Sequence, residues 1–150
     1  AVAGGMLVQE RDQRPFLGDL KTVSKRAPSE REMAGLIVAW HTAMHAHTHA
    51  AVIARGAAVI GLGSGQTSRL DSVRLALVKS QERHPILAAG EPVVMATDGA
   101  LTAEHVHAAA EGGVSAIMHP GGAAEDKDVA EAADRHGLAL VATGVRHFRH

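Results

Sequence analysis

Short apolar runs of strand length alternate along this chain with stretches whose apolar residues recur at helical spacing, and few folds accommodate that alternation. The strand-like runs lie at 50–54, 57–62, 93–96, 114–118 and 138–142. Ser29 followed by Glu32 forms a capping box ahead of Met33, Leu36, Ile37, Trp40 and Met44, which predicts a helix over about 30–45. Leu70, Val73, Leu77 and Val78 predict a second helix that Ser68 caps and that runs to about Arg83. Two more helices are expected at 102–111 and 125–136, the latter stopped by Gly137. The first two runs are separated only by Arg55-Gly56, a tight-turn pair, and so read as an antiparallel hairpin. The later strands need parallel crossovers, so the sheet is mixed, with about five strands and helices on both faces. The fold class expected is therefore a three-layer α/β/α domain. Residues 29–150 make up its single globular unit, and residues 1–28, with one more strand candidate at 6–9, form an arm between Pro15 and Pro28 over its surface.

Composition removes several function classes. No apolar run approaches the roughly 18 residues of a membrane span, and the first residues carry no signal-peptide pattern, so a cytoplasmic protein with no membrane partner is expected. With 0 Cys there is neither a disulfide framework nor a thiolate nucleophile, and any metal must rest on histidine and carboxylate. Lys and Arg number 15 against 16 Asp and Glu, and the aromatics are only Trp40, Phe16 and Phe148, so nothing offers nucleic acid a basic or stacking surface.

In open α/β sheets ligands sit beyond the carboxyl ends of the strands. Three polar segments occupy those places: Thr97-Asp98-Gly99, His119-Pro120-Gly121-Gly122, and the terminal run from Thr143 to His150. A fourth, Gly63 to Arg69, combines glycines with a helix N-terminus and a guanidinium, an arrangement suited to a phosphate or carboxylate. It lacks the lysine and glycine spacing of a Walker loop.

Eleven histidines are many for a chain of 150 residues. Between 41 and 49 they crowd without the continuity of an affinity tag, and no glutamate follows His41 to make a zinc-protease motif. If the helix ends near His45, then His45, His47 and His49 alternate along extended chain and could chelate a divalent ion, zinc or another transition metal, with Asp98, His119 or His147 completing the set. The alternative is that they are solvated residues complementing the helix C-terminus. His84, His105, His107 and His136 read as surface residues without a role.

Several runs resemble one family. Asp19-Leu20-Lys21, Lys25-Arg26-Ala27-Pro28-Ser29-Glu30, Ala39-Trp40, Gly61 through Ser72, Pro120-Gly121-Gly122 and the final Arg146-His147-Phe148-Arg149-His150 occur in one order. Together they resemble the C-terminal half of the transformylase region in the bifunctional AICAR transformylase/IMP cyclohydrolase family of purine biosynthesis. The resemblance implies a cytidine-deaminase-like α/β/α fold, a small anionic substrate, and a folate-type formyl donor. It carries nucleotide-site roles onto Gln66, Ser68, Arg69, Arg146 and Phe148, with Asp98 matching the aspartate that opens the family's phenylalanine-rich segment, the rest of which is missing. The family's Lys-His-x-Lys-Ser-Asn-Ala reads Met44 to Ala50 here, so His47 replaces a lysine and His49 a substrate-contacting asparagine, while His119 stands where glutamine is common. The family's catalytic lysine and histidine belong to the preceding half-domain, outside these residues.

These readings lead to an enzyme domain for one-carbon transfer or related chemistry on a small anionic substrate. His47, His49 or His119 would act as general base, and Arg69 and Arg146 would hold the anion. Two other classes are a metal-dependent enzyme on His45, His47, His49 and His119, and a non-catalytic ligand-binding or partner subunit. A homo-oligomer or a partner chain is expected, because half of a two-part fold unit exposes apolar surface.

Overall fold

A computed structural model describes residues 3–6, 8–13, 18–83 and 90–150. Ser29 opens helix α1 (Glu30–His45): its hydroxyl accepts from the Glu32 amide at 3.2 Å, and the Glu32 carboxylate accepts from the Ser29 amide at 2.8 Å. Arg26 donates two further hydrogen bonds to the same carboxylate, at 2.8 and 2.9 Å, tying the preceding segment to the first turn. Burial pushes the Glu32 carboxyl up, but these bonds outweigh it and lower the group to about 2.

The expected hairpin forms from β2 (Ala51–Arg55) and β3 (Ala58–Gly63), with Ala51 opposite Gly63 and Gly56 turning the chain at φ +55°. Helix α2 (Arg69–Arg83), β4 (Val93–Thr97), α3 (Ala103–Glu111), β5 (Ala116–His119), α4 (Asp126–Arg135) and β6 (Ala139–Ala142) follow in the predicted alternation. Strands β4, β5 and β6 are parallel, and β2 is antiparallel to both β3 and β4, so the sheet is mixed.

The N-terminal region corrects one expectation. Met6, Val8 and Gln9 are irregular, and Leu7 lies outside the described residues, as do Pro15 and His84. Met6 and Val8 are 75% and 80% exposed, so no burial rewards an extended pairing there. A sixth strand comes instead from β1 (Lys21–Thr22), antiparallel to β6, which gives the order β1-β6-β5-β4-β2-β3. Val23 extends the attachment by donating to the Leu140 carbonyl at 2.9 Å.

Side-chain alternation across the central strands divides the core between two faces. Val52, Val94, Ala96 and Met118 meet Leu36, Trp40 and Ala43 of α1, while Ile53, Met95, Ile117 and Leu140 meet Val73, Val106 and Val129 of α2, α3 and α4. One helix therefore covers one face and three cover the other, which makes the three-layer α/β/α architecture. Among the described residues no helix is long and apolar enough to cross a membrane. The parallel strands deliver their carboxyl ends to one edge. Because β2 runs the opposite way, its amino end arrives there too, with Ala51 opposite Thr97.

Candidate anion-binding site

That pairing brings the end of the histidine-rich stretch beside Asp98. The Ala50 amide donates to Asp98 Oδ1 at 3.0 Å and Thr48 Oγ1 donates to Oδ2 at 2.6 Å. Arg69, the first residue of α2, donates its Nη1 to the same Oδ1. Both side chains are buried, at 7% and 3% exposure, so the charges are shielded from water and the guanidinium is fixed in direction. Its Nη2 lies 2.9 Å from His49 Nδ1. Because a guanidinium only donates, Nδ1 is the accepting nitrogen, and a neutral His49 carries its hydrogen on Nε2.

Gly99 leaves room for a second guanidinium. A methyl group there would run into Arg69 and come within 3.3 Å of Arg146 Nη2. Arg146 in turn lies over the Phe148 ring, 4.3 Å from its centroid, and Phe148 stacks on His150 at 5.9 Å. The His49 imidazole is pushed below its ordinary range by burial first, then by Arg69, with smaller effects of the same sign from Arg146 and His150. His105 moves in the same direction, through burial and then Arg69, and its Nδ1 accepts from the Thr102 amide at 2.9 Å. Asp98, Arg69, His49 and Arg146 thus form one electropositive corner at the strand ends.

The other predicted residues fall around this corner or away from it. Ser68 precedes α2 and receives the Asp71 amide at 3.4 Å, as a cap does, and exposed Gln66 donates to the Ser64 carbonyl at 3.2 Å. His45 ends α1, exposed, with its ring 5.3 Å from His41. His47 is also exposed, its carbonyl accepting from the Gly65 amide at 3.3 Å. His119, at the end of β5, is 1% exposed, and among the described residues neither of its ring nitrogens has a hydrogen-bond partner. Burial lowers it to about 4 despite the opposing charge of Asp126.

The metal set of His45, His47, His49 and His119 is not brought together. Among the described residues no group of three or more histidine, aspartate or glutamate side chains is arranged to hold a metal ion. The reasons are geometric and electrostatic: β4 separates β2 from β5, a gap of about 10 Å at two strand spacings, and the nitrogen of His49 that faces inward meets a cation. His147 is buried against Trp40, ring centroids 5.5 Å apart, and pairs with Asp12 at 2.8 Å.

Sequence reasoning missed Thr48, Ser72 and His105. Thr48 braces Asp98, Ser72 donates to the His49 carbonyl at 2.7 Å, and His105 shares the electropositive corner. The only local signal was the helix-start position of Thr102 and His105, three residues apart.

Comparison with known proteins supplies context for this corner. The profile of the family described as "AICARFT/IMPCHase bienzyme" matches residues 1–79. Over 155 residues the chain is 47% identical to a "Bifunctional purine biosynthesis protein PurH" of Cereibacter sphaeroides, covering 99% of the chain and 29% of that protein. A protein of the same description from Rhodospirillum rubrum is 45% identical, with 100% of the chain and 30% of the relative covered. The chain thus spans under a third of the length of these relatives. Among solved structures, a dCMP deaminase from the cyanophage S-TIM5 aligns with a TM-score of 0.45 and 13% identity, covering 75% of this chain and 97% of that one.

Proposed function

The chain belongs to the AICARFT/IMPCHase bienzyme family, and from that premise we propose that it holds the anionic aminoimidazole nucleotide of a formyl-transfer site. The observation that carries the reading is the convergence of two guanidiniums on Gly99, one of them locked by a buried carboxylate. Arg69, positioned by Asp98 and Thr48, would take a phosphate or carboxamide oxygen without paying to order its own side chain. Arg146, lying on Phe148, would close on the substrate from the exposed side, and Ser68 and Gln66 stand at the α2 N-terminus beside them.

His49 has a role set by its tautomer. With Nδ1 accepting from Arg69, its Nε2–H is a donor, able to polarise the formyl oxygen as the substrate amine attacks the formyl carbon. A donor also stands at this position in the resembling family, as asparagine. In the transfer, the bond from formyl carbon to the donor nitrogen breaks as the new carbon–nitrogen bond forms, and the proton that the amine gives up ends on the departing donor nitrogen. His49 in this tautomer does not accept that proton, and buried His119 does not reach the site. Of the three histidines, exposed His47 remains to carry that proton, and a second copy or a partner chain completing the site is part of the proposal. The formyl donor is of the folate type.

Calorimetric titration with aminoimidazole carboxamide ribonucleotide tests the reading. Saturable binding is expected, weakened at least tenfold in both Arg69→Ala and Arg146→Ala and less in His49→Ala. No binding, or an affinity in either arginine variant equal to that of the unaltered chain, would overturn it.

A further inference from the structure

His107 on α3 and His136, the C-terminal cap of α4, face each other on the opposite side of the three-helix layer from the sheet. His107 Nδ1 lies 2.7 Å from His136 Nε2, with ring centroids 4.9 Å apart and planes inclined at 73°. Nothing in the nucleotide site uses either residue. We propose that the pair is a surface binding site for a divalent copper or zinc ion, held by two imidazoles with water in the remaining positions.

The geometry requires little change to accept the ion. Metal–imidazole bonds of about 2.0–2.1 Å at a tetrahedral angle need the two nitrogens roughly 3.3 Å apart. The present separation of 2.7 Å is that of a shared hydrogen, one ring donating to the other. On binding, the donating ring moves its hydrogen to its other nitrogen, so both facing nitrogens offer lone pairs and no proton is lost. Small side-chain rotations, unopposed in solvent, supply the extra half ångström.

The scaffold and the local charge favour a cation. Each histidine sits on a helix anchored by fully buried neighbours, Val106 and Ala109 on α3, Ala132 and Ala133 on α4, so the rings are held opposite each other before any ion arrives. His136 lies at the negative end of the α4 dipole. Glu104 and Glu111 stand about one turn either side of His107 on α3, lining with it a cleft against α2 where Arg74 approaches Glu104 at 3.6 Å. The His41–His45 pair, one turn apart on α1 with ring centroids 5.3 Å apart and planes tilted by 40°, serves as an internal comparison.

The experiment adds copper(II) chloride in substoichiometric steps to the untagged full chain and follows the imidazole resonances. Paramagnetic broadening is expected at His107 and His136 before any other histidine. Zinc(II) calorimetry should show this site weakened at least tenfold in His107→Ala and in His136→Ala, with the double variant no weaker than either alone. If an alanine variant loses its helical circular dichroism, His107→Gln or His136→Gln is measured in its place. Broadening that begins at His41 and His45 or spreads evenly over the exposed histidines, or affinity unchanged in either variant, overturns the proposal.

Discussion

His119 shows how burial converts a common side chain into a pH-dependent stability element. Its neighbours on β5 alternate between the two apolar layers, and the ring follows Ile117 toward the three-helix face, where no hydrogen-bond partner among the described residues meets it. Burial lowers it to about 4, against about 6.5 for an exposed histidine. The folded state therefore binds fewer protons than the unfolded chain between these values. The stability this contributes is present above about pH 6.5 and is lost as pH falls toward 4, about 3 kcal/mol in all. His119→Leu, of similar volume and without charge, should flatten that limb; urea unfolding at pH 4.5 and 7 in both proteins measures it, and identical slopes would refute the assignment. The sequence singled out His119 at a strand end but could not show that the strand closes over it. Arg69 and Asp98 were likewise legible singly, one from a glycine-rich helix start and one from a strand end, while their pairing across 29 residues was not.

Helix α2 sits so close to β3 that only glycine fits between them. A methyl group on Gly61 would meet the Ala76 carbonyl, and one on Gly63 would meet the backbone of Ser72. These contacts are with helix backbone, so relief requires the whole helix to shift, and Arg69 is its first residue. Gly63→Ala should cost about 1–3 kcal/mol as overpacking and also weaken nucleotide binding, although it touches no ligand-facing group. Thermal unfolding together with the ribonucleotide titration tests both parts, and a stability loss with unchanged affinity would separate helix position from site geometry. At this scale the sequence was most informative: the capping box at Ser29, the hairpin at Gly56 and the stop at Gly137 all formed where local chemistry placed them. The strand expected at 6–9 did not, because an apolar run alone does not supply the sheet edge it must join.

Across the whole molecule the two termini are fastened to each other beside the proposed site. Asp12 accepts from His147 at 2.8 Å and from the Phe148 amide at 3.4 Å, and Gln9 bonds the Phe148 carbonyl at 2.7 Å and the His150 amide at 2.9 Å. The fastened segment carries Arg146 and Phe148, so Asp12→Ala should speed hydrogen exchange at the Phe148 amide at least tenfold and loosen nucleotide binding with it. Unchanged exchange would assign the tail's order to its contacts with Thr48 and His45 instead. From residue 29 onward the sequence by itself determined the kind and order of the elements, since periodicity, caps and tight turns depend on residues only a few positions apart. Tertiary structure alone decided which histidines meet an arginine, which meet each other and which are sealed from water. A one-residue change of register sends a side chain to the opposite face of a sheet, and register is settled by the packing of segments far apart in the chain.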